Sequence, residues 1–397
     1  DDTTADPAPG DDTATSTTAA STTTATPTTS EASTTTSTTP PAGFGDPLPT
    51  PVPVVELPPD AGSIFAQGTG FDLSLVGYEQ SEYFISGTAR SFAPVGGTEL
   101  TEDGAWTVEV ADEADYKTRM TVIRPSDPAD FTGTVVVEWF NVTAGLDAAP
   151  HWTMSHVEQI REGYAWVGVS AQAIGVEGGE SSLENVPLVL HLKGLDPERY
   201  GTLDHPGDSF SYDIYSQAAQ VLLSPGDIDV LGGLEIEQLL SVGESQSAFR
   251  LTTYVNAIDP LARLFDGYLV HSRGDGSSSL SQAPQAEFPA PDRVLIREDV
   301  RVPVLTFETE TDVVLLGFAS DRQPDTDQIR TWEVAGTAHS DLYSISLELG
   351  PQDLGDDPSV AEVVEVESPI PGIIECASPI NNGPQHWVMN AALHALE

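Results

Sequence analysis

Leu239-Leu240-Ser241-Val242-Gly243-Glu244-Ser245-Gln246-Ser247-Ala248 leads an apolar, strand-like run into a serine flanked by small residues, and a helix-like run continues to Ile258. In a strand, sharp turn and helix of this kind the turn residue is held in a strained conformation. Its hydroxyl projects above the sheet, and the first amides of the helix point to where an oxyanion would develop. Gly243 stands two before Ser245, where a side chain would collide with the turn, and Ser247 stands two after it, where glycine is more usual. Ser245 therefore reads as a nucleophile, against the bland alternative of a polar turn between a strand and a helix. Ser170 also follows a strand-like run, with Gly168 two before it, but Gln172 fills the place that needs a small residue. It reads as the end of a neighbouring strand.

Of the 397 residues, 1–45 are dominated by Thr, Ser, Ala, Pro and Asp. Such a segment cannot bury enough apolar surface to offset its ordering entropy, and it reads as a disordered stalk. Residues 46–397 are long enough for one large domain and show no repeat or second linker. The first Lys or Arg is Arg90, and the chain opens on Asp1 with no basic, apolar signal segment. A processed, exported protein at the cell surface or outside the cell is the expectation, since Thr/Ser/Pro stalks are commonest there; whether the stalk is lipid-anchored is open. No run of about 18 apolar residues is present to span a bilayer.

Fifteen Lys and Arg against 62 Asp and Glu give a net charge of −47, which makes nucleic acid and anionic membranes poor partners. Solubility or a salty habitat accounts for this charge more simply than steering of cationic substrates. Cys376 is the only cysteine, so no intrachain disulfide or thiolate metal cluster can form. His151 and His156, five apart, do not share a helix face as a zinc pair would, and no phosphate-cradling glycine loop with lysine occurs. Neither metal nor cofactor is expected.

Strand-like alternation from about Ser63 to Arg124 predicts an antiparallel entry to a sheet, with Tyr83, Ile85 and Thr88, then Trp106, Val108 and Val110, then Met120, Val122 and Ile123. The nearly unbroken apolar run Thr134–Trp139 suits a strand buried on both faces. Thereafter helix-like segments (152–161, 212–223, 385–396) and strand-like segments (164–170, 238–242, 268–270, 302–307, 331–334) alternate. This predicts an α/β fold, a mostly parallel sheet with helices on both faces. Sites in such sheets form beyond the carboxyl ends of the strands. The irregular stretches 171–211 and 272–298 leave from that edge as candidate cap or pocket walls.

A serine needs a base, and the base a third group to orient it. His339, on a small-residue loop past the last strand, completes the order Ser, acid, His; His271, directly after a strand, is the rival. The acid should follow the Val302–Phe307 strand, where Glu308, Glu310 and Asp312 stand. Asp312 is chosen for its distance past the strand end, with Glu310 as the alternative and Glu308 read as solvent-exposed or structurally hydrogen-bonded. The oxyanion hole is expected from the backbone N–H of Gln246 and one from the loop after the Val135 strand, Phe140 or Asn141. Asn141-Val142-Thr143 also fits a glycosylation acceptor, the less favoured use.

Val137-Glu138-Trp139-Phe140-Asn141-Val142, Gly243 through Ala248, Phe265 through Arg273, and Cys376 through Pro384 together make the chain from about Gly70 onward resemble the α/β-hydrolase superfamily. Within it, the chain is similar to a bacterial α/β-hydrolase domain-containing family whose elbow reads Gly-x-Ser-Gln-Ser. The resemblance implies Ser245 as nucleophile, His339 as base and an acid after the Phe307 strand. It also implies that the chain continues past its closing helix, leaving the extreme C-terminus missing here. The resulting expectation is an exported serine hydrolase that cleaves small or polymeric carboxylic esters through an acyl-enzyme. Acyl transfer by the same residues, or a silent surface-displayed binding module on this scaffold, are the alternatives. Oligomeric state and acyl and alcohol preference are left open.

Overall fold

A computed structural model describes residues 46–65, 71–179, 190–349, 366–368 and 375–397. The expected stalk, and residues 180–189 of the first wall stretch, lie outside the described residues. Among the described residues nine strands form one sheet: β1 (Val54–Glu56), β2 (Tyr78–Pro94), β3 (Val108–Pro125), β4 (Thr134–Trp139), β5 (Ala165–Val169), β6 (Gln238–Glu244), β7 (Gly267–His271), β8 (Val304–Thr309) and β9 (Ile329–Val334). They lie in the order β1-β2-β3-β5-β4-β6-β7-β8-β9. β1 to β3 pair antiparallel, and β3 meets β5 antiparallel. Every pairing from β5 through β9 is parallel.

The entry is one long hairpin rather than several short strands, because the runs around Val108 and Met120 belong to a single 18-residue strand, β3. From β4 the chain crosses to β5 on one side and later returns to β6 on the other. With right-handed crossovers, that reversal sends successive helices to opposite faces. Six helices matter below: α1 (Pro150–Arg161), α2 (Ser211–Leu223), α3 (Gln246–Thr253), α4 (Glu310–Val314), α5 (Leu342–Leu349) and α6 (Gln385–Leu396).

The alternation along β4 is what fills both layers. Val135, Val137 and Trp139 point into a core shared with Tyr212, Tyr215, Ala248 and Leu251 of α2 and α3. Val136 and Phe140 point into the other, with Trp152 and Met154 of α1 and Met389 and Leu393 of α6. All of β4 is buried, as a strand covered on both faces must be.

Glu138 is the exception within this apolar strand. Its carboxylate accepts from the His151 and Trp152 N–H groups, at 2.8 and 2.9 Å, and from Trp166 Nε1 at 2.9 Å. The first two are amides at the start of α1 that the helix itself cannot satisfy, so a strand residue caps a neighbouring helix. Burial pushes this carboxyl up to about 8 even though the three donors pull it down. Glu138→Ala would strand all three donors, and is expected to cost about 3–5 kcal/mol, read as a lower urea midpoint. A cost below about 1 kcal/mol would show that α1 is capped by something else.

Candidate active site

β6 ends at Glu244 and α3 begins at Gln246, leaving Ser245 alone on the turn with φ 54° and ψ −119°. A non-glycine residue in this region costs of order 1–3 kcal/mol and persists only where its surroundings fix it. The Ser245 N–H donates to the His271 carbonyl at 2.9 Å, and the Phe249 N–H donates to the Ser245 carbonyl at 3.2 Å. A Cβ on Gly243 would lie 3.0 Å from the Ser247 carbonyl oxygen and 3.3 Å from its Cβ. The missing side chain at Gly243 is thus what makes room for Ser247 where glycine is more usual.

Past β9 the chain turns at Gly336 and brings His339 over Ser245. His339 Nε2 lies 2.8 Å from Ser245 Oγ, and His339 Nδ1 lies 2.6 Å from Asp312 Oδ1. A carboxylate can only accept, so in the neutral imidazole the proton sits on Nδ1 and Nε2 accepts from the serine hydroxyl. Asp312 is fully buried, and its other oxygen, Oδ2, accepts from the Thr309 N–H and hydroxyl, both at 2.7 Å. Thr309 and Asp312 form a capping box on α4, so the helix start that orders the loop also aims the acid.

The three neighbouring acids take three different environments. Glu310 is exposed, and its Oε2 accepts from the Gly336 N–H at 2.8 Å rather than meeting His339. Glu308 is fully buried, which corrects the expectation of solvent exposure. Its place in the interior of β8 turns it into the core. Burial pushes its carboxyl well up, with the charge of Asp312 adding to the effect and Arg273 opposing it.

A second carboxylate reaches His339 from the other side. Glu244 Oε1 lies 3.6 Å from His339 Nε2, and Asn141 Nδ2 donates to Glu244 Oε2 at 3.2 Å and to its carbonyl at 3.0 Å. Burial lowers the affinity of His339 for a proton. The Asp312 hydrogen bond and the charges of Glu244 and Asp312 outweigh it and raise the imidazole to about 9. His271, the rival base, is buried with its affinity pushed well below the usual range by burial; its carbonyl, not its ring, serves the turn.

Gln246 opens α3, so its amide belongs to the set that an α-helix leaves unpaired. Phe140 and Asn141 do not supply the second donor. The Phe140 N–H donates to the Val169 carbonyl at 3.2 Å and the Asn141 N–H to the Ala148 carbonyl at 2.9 Å, so both amides are already committed. Asn141 instead acts through its side chain as a brace on Glu244. Ser170 is buried between Arg119 and Asp147, two strands from β6. Among the described residues no group of three His, Cys, Asp or Glu side chains is arranged to hold a metal ion.

Ser245, Gln246, Thr143 and His339 open into a cleft of about 700 Å³. Its walls come from Phe249 on α3, from Thr311, Leu315, Leu316 and Gly317 on and after α4, and from Asp275 and Ser278. The stretch 272–298 therefore does furnish cleft residues. Within the described part of 171–211, Asp204 bridges to Lys117 and Tyr200 packs against Phe84 on the hairpin, while Asp208 pairs with Arg250 of α3 and Ser209 bonds Ser281 and Gln282. Glu244 and the leucines just after α4, Leu315 and Leu316, were not singled out from the sequence. The signals were there, a carboxylate adjoining the elbow serine and an apolar triplet in a surface segment.

A family model described as an alpha/beta hydrolase domain matches residues 48–397. The chain belongs to the alpha/beta hydrolase family. Solved structures that resemble this hydrolase include a glucuronoyl esterase from Solibacter usitatus, with 12% identity, a TM-score of 0.35, and coverage of 74% of this chain and 83% of that one. Another is an α/β serine hydrolase without a lid from Xanthomonas campestris, with 12% identity, a TM-score of 0.33, and coverage of 56% and 80%. An esterase from Pyrococcus furiosus has 8% identity, a TM-score of 0.34, and coverage of 68% and 85%. No curated protein matches the sequence.

Proposed function

We propose that this hydrolase cleaves carboxylic esters through an acyl-enzyme, with Ser245 as nucleophile, His339 as general base and then acid, and Asp312 as the group that orients the imidazole. The observation that carries this reading is the unbroken chain Ser245 Oγ, His339, Asp312, at 2.8 and 2.6 Å, on a strained turn at the floor of a cleft.

In the first half-reaction Ser245 Oγ attacks the ester carbonyl while its proton passes to His339 Nε2. The carbonyl oxygen takes the negative charge and is stabilised by the Gln246 N–H and the amino end of α3. As the tetrahedral adduct collapses, His339 returns the proton to the departing alcohol oxygen, leaving Ser245 acylated. Water then repeats the sequence and releases the acid. Esters are favoured over amides because an alcohol leaves with less help from the acid. Transfer to a second alcohol would use the same groups, but Ser245 and His339 are partly exposed, which admits water. Export, to the surface or the medium, is part of the same proposal and rests on the composition of residues 1–45. Among the described residues no helix is long and apolar enough to cross a membrane.

Rapid mixing with p-nitrophenyl butyrate tests the covalent route. A burst of about one p-nitrophenol per chain is expected; slow linear release with no covalent adduct would contradict it.

The pH dependence follows from His339. It must be unprotonated to act as base, and its raised affinity delays that form until the pH approaches about 9. kcat/KM should therefore climb through neutral pH toward an alkaline plateau. Glu244→Gln removes one of the charges that raises the imidazole, so the rising limb should move to lower pH. A limb that stays put would show that Glu244 is not felt at the base.

A further inference from the structure

Val314, Leu315 and Leu316 are 69%, 77% and 38% exposed, the only consecutive run of exposed large apolar residues among those described. Exposed apolar residues scattered singly need no explanation, but a contiguous set at the lip of a cleft does. Leu315 and Leu316 line the same cleft as Ser245 Oγ, with Phe249 beside them. The lip is built to stay open. The Asp275 N–H donates to the Leu316 carbonyl at 2.9 Å, tying the two walls together. Beneath them, Asp321 Oδ2 accepts from Arg273 Nη2 at 2.5 Å, from the Gly276 N–H at 2.9 Å and from the Val294 N–H at 3.1 Å. Both members of this ion pair are buried, so the frame that holds the leucines in solvent is not free to fold them inward.

The charge beside the lip narrows the ligand further. Asp275 is exposed at the cleft, Glu244 and Asp312 flank the imidazole, and among the described residues no Lys or Arg lines the cleft. An anionic group lying against Asp275 would meet like charge there, in a protein that carries −47 overall.

We propose that Phe249, Leu315 and Leu316 form the subsite for an uncharged, apolar arm of the ester, and that Asp275 excludes carboxylate-bearing substrates. This names a substrate class for the activity proposed above and rests on that reading. A fully buried methylene is worth about fourfold in binding, so even a partly covered arm several carbons long should be selected strongly.

The test varies each arm in turn on the intact chain. p-Nitrophenyl acetate, butyrate and octanoate vary the acyl side, and methyl, butyl and octyl acetate vary the alcohol side. In at least one series the long member should exceed the shortest by tenfold or more in kcat/KM. Leu315→Ser with Leu316→Ser should cut that ratio at least fivefold. p-Nitrophenyl succinate, which carries a free carboxylate, should fall at least tenfold below p-nitrophenyl butyrate, and Asp275→Asn should narrow the gap.

Calorimetry of Ser245→Ala with the same esters reads the subsite without turnover. Tighter binding of octyl than of short esters there, with no hydrolysis by the parent, would sink the esterase reading and keep the apolar subsite. Flat chain-length dependence in both series and in calorimetry, or succinate turned over as well as butyrate, would overturn the subsite itself.

Discussion

Ser245→Ala is expected to lower kcat/KM on p-nitrophenyl butyrate by on the order of 10⁵-fold, with far-ultraviolet circular dichroism unchanged. The size follows from what the hydroxyl does in this setting. Its oxygen is the only atom on the β6–α3 turn placed 2.8 Å from His339 Nε2, and the turn holds it there at the cost of a positive φ. Alanine keeps the Cβ and hence the turn's constraints, so the backbone bonds to the His271 carbonyl and from the Phe249 N–H are unaffected. What is lost is the bond-forming atom. The residual rate reports oxyanion stabilisation and binding alone. A loss below about tenfold would mean that another group performs the chemistry.

Asp312→Asn is expected to cost about 10⁴-fold in kcat, and the reason lies in its second oxygen. Oδ2 accepts from two donors on Thr309, whereas Oδ1 faces one nitrogen of His339. An asparagine at this position satisfies Thr309 by placing its amide oxygen there, which turns its NH₂ toward His339 Nδ1. That donor forces the imidazole proton onto Nε2, where it meets the serine hydroxyl instead of accepting from it. The chain of proton transfer is reversed although every side chain is still in place. Glu310→Gln is the matching control. Its carboxylate is exposed and accepts only a backbone N–H at Gly336, which an amide oxygen can also do, so a change under threefold in kcat is expected. A larger loss at Glu310 than at Asp312 would exchange their roles.

The sheet could be read from sequence because β4 to β8 are buried on both faces and therefore appear as short apolar runs between helical ones. The hairpin was less legible. β2 and β3 run 17 and 18 residues through exposed polar positions that carry no hydrophobic signal, so only their buried portions show as strands. The turn at Ser245 was visible because strain demands small residues, and Gly243 leaves a mark in the sequence. The environments of Glu308, Glu310 and Asp312 were not visible, since three acids within five residues become a buried strand position, an exposed helix start and a capping-box acid only once the β8–α4 junction is built. The Phe140 and Asn141 amides failed as oxyanion donors for a similar reason. Their partners, Val169 and Ala148, are brought to them by β5 and by an isolated bridge that no local pattern announces. Glu244 and the Leu315–Leu316 lip depend on which loops meet at the sheet edge, which is a tertiary property.

The central claim is that Ser245 is an activated nucleophile. Incubation of the intact chain with a fluorophosphonate, followed by mass spectrometry of the digest, tests it most directly. One stoichiometric phosphonyl adduct on Ser245, absent from Ser245→Ala and formed faster as the pH rises toward 9, is the predicted result. A folded protein that stays unlabelled, or that carries the adduct on another serine, would contradict the account.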